Sequence, residues 1–133
     1  MGVKENEAAL TRAVDAWNSG DVESYLDLYD ERIKLHAGTY DFPHKRAVED
    51  MYRGFFAATS DLRLTILETF GHEDSLCARY AVDATHTGRL LGIDPTGKQI
   101  SMVGITIMHF ENGRVVERWD ADNSAEVFAE LQS

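Results

Sequence analysis

From Leu62 onward the apolar residues of this chain recur at every second position, whereas before it they recur at every third or fourth. That change of period constrains the fold more than any other feature, because side chains alternate across a strand but return to one face of a helix about every 3.6 residues. "AALTRAVDAW" places Leu10, Ala13, Val14 and Trp17 on one side, predicting an amphipathic helix over residues 4–18. Ser19-Gly20 ends it, and Asp21 is positioned to cap a short second helix, "VESYLDLY". "RIKLHA" reads as a short strand, and "AVEDMYRGFFAA" as a third helix with Val48, Met51, Tyr52, Phe55 and Phe56 on its buried stripe.

The alternating segments are "LRLTILETF", "SLCARYAVDATHTG", "QISMVGITIMHF" and "RVVERWD". Gly71 to Asp74, Asp94 to Gly97 and Asn112-Gly113 supply the turns between them. The tail "NSAEVFAELQ" has Asn123 followed three residues on by Glu126, a capping-box pattern for a last helix. Helices followed by strands predict an α+β fold, one domain over residues 1–133, with a curved antiparallel sheet wrapped around the N-terminal helices.

Composition narrows the function classes. A net charge of −10 disfavours nucleic-acid binding, since phosphates are repelled. No apolar run reaches the roughly 20 residues that cross a bilayer, and "MGVKENEAAL" lacks a signal-peptide core. The single cysteine, Cys77, cannot form an internal disulfide, which fits a cytoplasmic location. "GIDPTGKQ" falls short of a phosphate-binding loop: Gln99 stands where a magnesium-binding hydroxyl belongs, Pro95 removes an amide, and a strand follows. The five histidines have no metal-ligand spacing, so neither metal nor cofactor is expected.

Asp120, directly after Trp119 at the end of the last strand, is the candidate for chemistry. A two-residue turn at Asn112-Gly113 would put Asp120 on the face of Ile105, Ile107 and His109. A three-residue loop, Glu111-Asn112-Gly113, would put it with Gly104, Thr106, Met108 and Phe110. The second register is favoured, because it gathers Val103, Ile105, Ile107, Val115 and Trp119 into an apolar outer face suited to a homodimer. Apolar neighbours (Met108, Phe110 and Trp119) would desolvate the Asp120 carboxyl and make it a stronger base.

Thr85 to Asp120, "THTGRLLGIDPTGKQISMVGITIMHFENGRVVERWD", closely resembles the SnoaL-like polyketide cyclase family of the nuclear transport factor 2-like superfamily. "AWNSGDVESYLDLYDERIKLHAG" and "YRGFFAATSDLRLTI" are similar to its opening helices and strands. The resemblance implies a cone-shaped, cystatin-like roll and a cofactor-free cyclase or isomerase acting on an apolar, carbonyl-bearing molecule. It also implies Asp120 as general base. The family's polar partners on the neighbouring strand, a histidine and a glutamine, are here Thr106 and Gly104. His36 and Tyr40 are the candidates to donate to the enolate oxygen. Tyr52, Phe55, Phe56, His86, Thr106, Met108 and Trp119 are expected to line the ligand site. The same superfamily also holds ligand-binding domains, dehydratases and epoxide hydrolases; the last would require two aspartates and an arginine around a water, drawn from Arg79, Arg118 and Asp83.

Overall fold

The computed structural model describes residues 2–133. Helix α1 (Val3–Asn18) buries Ala9, Leu10, Ala13 and Trp17 along one stripe. It turns through Gly20 (φ +77°) into α2 (Val22–Leu26), where the Asp21 carboxylate accepts from the Ser24 amide as the sequence predicts. Strand β1 (Tyr29–Ala37) and the short β2 (Tyr40–Phe42) form a hairpin. Helix α3 (Lys45–Ala57) then leads to β3 (Thr59–His72), β4 (Ser75–His86), β5 (Gln99–Glu111), β6 (Arg114–Asp122) and α4 (Ser124–Gln132). No helix is long and apolar enough to cross a membrane.

The six strands form one sheet in the order β2-β1-β6-β5-β4-β3. It is not wholly antiparallel as the sequence led us to expect: β1 pairs with β6 in parallel, while every other pair is antiparallel. Three helix-to-strand excursions separate β1 from β6, so the chain returns beside its first strand from the same end. Along β4 the residues Leu76, Ala78, Tyr80, Val82, Ala84 and His86 are all buried, and Ile100, Gly104, Thr106, Met108 and Phe110 do the same on β5. These inward rows pack on α1 and α3 as the main core, with Trp17, Tyr25, Tyr29 and Tyr52 at its centre. Helix α4 closes a second, smaller cluster through Val127 and Leu131 against Ala58, Ala84, Leu90 and Ile100.

The last hairpin decides which way β6 faces. Asn112 and Gly113 both have positive φ (51° and 80°), and Glu111 pairs with Arg114, so the connection is a two-residue turn and not the expected three-residue loop. The register nevertheless moves by one, because Phe110 pairs with Val115 and His109 with Glu117, leaving Val116 unpaired in a β-bulge. Beyond the bulge Thr106 pairs with Asp120 and Ile107 with Trp119. Asp120 therefore shares the inward face with Thr106 and Met108, as expected, by a different device. Val115, expected on the outer face, precedes the bulge and is buried in the core.

The outer face keeps Val103, Ile105 and Ile107, each about half exposed, with Trp119 and the β3 side chains Leu67 and Phe70. Helix α4 does not cover them. Its expected capping box is also absent: the Asn123 carboxamide oxygen accepts from the Val103 amide of β5, and Asp122 instead accepts from the Ser124 amide.

Gly104 is required by a close approach. A Cβ there would lie 2.6 Å from the Tyr80 hydroxyl and 3.0 Å from the Ala121 carbonyl oxygen. Gly104→Ala is therefore expected to lower stability by about 1–3 kcal/mol in chemical denaturation, the cost typical of an overpacked core. An unchanged unfolding midpoint would show that Tyr80 moves aside freely.

Candidate active site

Strand alternation after the bulge sends Trp119 outward and brings Arg118 and Asp120 inward together. Arg118 Nε donates to Asp120 Oδ1 at 3.0 Å and to Thr106 Oγ1 at 2.9 Å. The Thr106 hydroxyl in turn donates to the Trp119 carbonyl at 3.0 Å, which fixes its lone pairs toward the guanidinium. Arg118 Nη1 lies 2.6 Å from the Tyr29 hydroxyl, 3.3 Å from that of Tyr25 and 3.4 Å from that of Tyr52. The three hydroxyls also bond each other, Tyr25 to Tyr29 at 2.7 Å and Tyr29 to Tyr52 at 3.1 Å. Arg118 further sits 5.9 Å from the Tyr80 ring centroid, within cation–π range.

Only 10% of the Arg118 side chain and 9% of that of Asp120 are exposed. Burial works against the guanidinium charge, but Asp120 and the tyrosine oxygens outweigh it and hold the Arg118 pKa well above its ordinary value. Burial likewise pushes the hydroxyls of Tyr29, Tyr52 and Tyr80 up, against the opposing pull of Arg118, so they are neutral donors at physiological pH. The environment of Asp120 thus differs from the expected apolar one: its partner is an ion, not a hydrocarbon wall.

Three polar atoms of this cluster carry no hydrogen bond among the described residues: Asp120 Oδ2, Arg118 Nη2 and the Tyr80 hydroxyl. They offer one acceptor and two kinds of donor. That set matches a substrate that gives up a proton at one atom and gathers negative charge at another.

Of the residues singled out in the sequence, Tyr52, Thr106 and Met108 gather at Asp120, with Met108 paired in register with Arg118. His36 does not. It pairs with Trp119 on the outer face, stacks on that indole at 5.5 Å, and is bonded by Asp41 at Nδ1 and Glu117 at Nε2, both 2.8 Å. Trp119 belongs to the outer face too, 37% exposed. Tyr40 pairs with Ala37, the other neighbour of Asp120's partner, but lies two strands away, roughly 10 Å across the sheet. Its side chain is 73% exposed. Phe55 is half-buried and packs against both core clusters, while Phe56 packs edge-on against Trp17. His86 is fully buried at the far end of β4, its Nδ1 held by Thr96 and its Nε2 unpartnered.

Arg118, Tyr25, Tyr29 and Tyr80 were not recognised from the sequence as site residues. The signal was present for Arg118: two residues from Asp120 on a strand, it must share the same face. Arg79 and Asp83 project outward, where Arg79 bonds Glu68 and Asp83 accepts from Ser101, so a second aspartate does not join Arg118.

Two clefts open on the surface. One of about 630 Å³ lies where the ends of α1 and α3 meet the start of β3. The other, about 570 Å³, lies on the outer sheet face between Leu67, Arg79, Ile105 and Asn123.

The geometry accords with the relatives of the chain. The profile of the SnoaL-like polyketide cyclase family matches residues 7–131. The chain belongs to that family. It is 27% identical over 122 residues to the aklanonic acid methyl ester cyclase AcmA of Streptomyces galilaeus, covering 85% of this chain and 81% of AcmA. Among solved structures, AclR, described as a putative hydroxylase from the same organism, superposes with a TM-score of 0.86 at 27% identity, covering 97% and 96% of the two chains. A SnoaL-like protein from Jannaschia superposes with a TM-score of 0.85 at 13% identity, over 98% of this chain and 93% of that one. The fold is the nuclear transport factor 2-like cone, an α+β roll as the sequence implied.

His36 makes a test of the outer face. Hydrogen bonds from Asp41 and then Glu117 raise its pKa above the ordinary 6.5, against slight desolvation. A pKa raised by folding contributes stability that is fully present below the unfolded value and disappears as pH climbs through the folded value. Thermal stability should therefore decline as pH rises above about 6.5, and His36→Gln should flatten that decline. Parallel melting curves of the two proteins across pH 6 to 9 would show the clamp to be without effect.

Proposed function

We propose that the chain is a cofactor-free acid–base catalyst that removes a proton from the carbon beside a carbonyl group of an apolar, ring-bearing substrate. The observation that carries this reading is the unpartnered Oδ2 of Asp120 next to the unpartnered Nη2 of a buried Arg118. Asp120 Oδ2 takes the α proton, and the electron pair moves onto the carbonyl oxygen to give an enolate. Arg118 Nη2 and the Tyr80 hydroxyl donate to that oxygen, placing positive charge where negative charge develops. A carboxylate tied to a guanidinium is a weaker base than a free desolvated one. The arrangement offsets this by stabilising the product of proton removal.

The enolate then attacks a second carbonyl of the same molecule in an aldol ring closure, with its carbon forming the new bond and the resulting alkoxide taking a proton. Ring closure is favoured over double-bond isomerisation by the family and by the cyclase AcmA. Thr106 and Gly104 stand where the family's histidine and glutamine partners would be; Arg118 and Tyr80 take over the orienting role.

Exchange of solvent deuterium into the α positions of 2-tetralone, followed by proton NMR, tests the reading. Asp120→Asn should slow exchange by about 10²–10⁴-fold while keeping the fold, the usual share of a general base. Exchange at the wild-type rate in that variant would overturn it.

We further propose that two copies pair through the outer sheet face. Val103, Ile105, Ile107, Trp119, Leu67 and Phe70 form an apolar patch across four adjacent strands, larger than soluble monomers ordinarily leave exposed. Its rim carries both signs, with Arg79 at one side and Glu117 at the other, so a two-fold axis sets unlike charges together. Ile105→Asp should convert a dimer into a folded monomer in light scattering at micromolar concentration. A monomeric wild type, or a dimeric variant, would refute the pairing.

A further inference from the structure

The cleft at the ends of α1 and α3 contains a feature the site around Asp120 does not explain. Trp17 is only 4% exposed, yet its ring forms part of the cleft wall and its Nε1 has no hydrogen-bond partner. An indole N–H buried without an acceptor is destabilising, and such groups in native proteins are rare. The surrounding polar groups are otherwise engaged. The Asn18 carboxamide donates to the Leu64 carbonyl and accepts from its amide, and the Thr59 hydroxyl donates to the Phe55 carbonyl. Arg53 is held by Glu23 through two bonds of 2.8 Å. Nothing in the cleft wall supplies the missing acceptor.

We infer that this cleft is a second ligand site, in which Trp17 Nε1 donates to a neutral oxygen of an aromatic or alicyclic carbonyl compound. The volume of about 630 Å³ accommodates a molecule of two or three fused rings. Phe56, edge-on to Trp17 at 4.7 Å, and Leu62 supply apolar walls for the ring system. A neutral acceptor fits better than an anion, because Glu23 occupies the Arg53 guanidinium and Asp61 stands at the rim. The same Trp17 ring packs on its far side against Tyr25 at 4.9 Å and Tyr52 at 5.9 Å, the tyrosines that hold Arg118. A ligand seated here is one aromatic layer from the buried cluster, which makes the cleft an antechamber for the carbonyl compounds proposed above. The binding itself does not depend on Asp120.

The chain has two tryptophans, so its proton–nitrogen NMR spectrum carries two indole signals, assigned by Trp119→Phe. Methyl 2-naphthoate should move the Trp17 indole proton downfield, and 2-ethylnaphthalene, which lacks the oxygen, should bind about tenfold or more weakly. Ser60→Phe, which fills the cleft from the exposed start of β3 without replacing Trp17, should abolish the shift. Asp120→Asn should leave it intact, so a failure of the proposed catalysis and a failure of this site are read separately. A Trp17 signal unmoved at saturating ester, an equal response to the hydrocarbon, or a shift that survives Ser60→Phe would each overturn the assignment.

Discussion

A guanidinium inside a fold of this size is tolerated only if its charge and its N–H groups are answered nearby, since the effective cost of desolvating an ion is several kcal/mol. Arg118 draws its answers from five elements: Asp120 on its own strand, Thr106 on β5, Tyr25 on α2, Tyr29 on β1 and Tyr52 on α3. Each of these positions follows from that demand. The three tyrosines bring their hydroxyls together at the centre of an otherwise apolar core, an arrangement with no purpose unless a donor sits among them. Their rings meanwhile pack on Trp17 and so carry the hydrophobic contact between α1, α2 and α3. Packing and charge are satisfied by the same side chains.

The bulge at Val116 makes this possible. A regular hairpin from the two-residue turn would keep Val115, Glu117 and Trp119 on one face and would place Arg118 and Asp120 outside. One unpaired residue reverses the second half of β6 while leaving Val115 in the core. The outer face then receives Glu117 and Trp119, which meet His36. Gly104 makes the complementary allowance on β5, leaving room for the Tyr80 hydroxyl across the strand. Catalytic potential and the apolar outer face are thus two consequences of one irregularity.

Much of this was legible in the sequence. The change of period located the helices and strands, the Asn-Gly turn located the last hairpin, and the family motifs pointed to the cone and to Asp120. The bulge was not legible, because an extra residue in a strand leaves no compositional mark in "RVVERWD". The right face for Asp120 was reached through a three-residue loop that does not form. The parallel pairing of β1 with β6 is a long-range event to which local pattern is blind. His36 was misassigned because position at a strand end says nothing about facing; its partners Asp41 and Glu117 come from β2 and β6. The tyrosine cluster was hidden for a different reason. Tyr25, Tyr29 and Tyr52 read as amphipathic core residues, and only a buried cation reveals their hydroxyls as ligands.

The mutual dependence of Arg118 and Asp120 is the central claim, and a double-mutant cycle on stability tests it most directly. Arg118→Met and Asp120→Leu are made singly and together, and each protein is unfolded in urea. The account predicts that either single change costs about 3–5 kcal/mol, because the remaining ion is left buried and unpaired, whereas the double variant loses far less than the sum. Additive losses would contradict it, since they would mean that neither charge depends on the other.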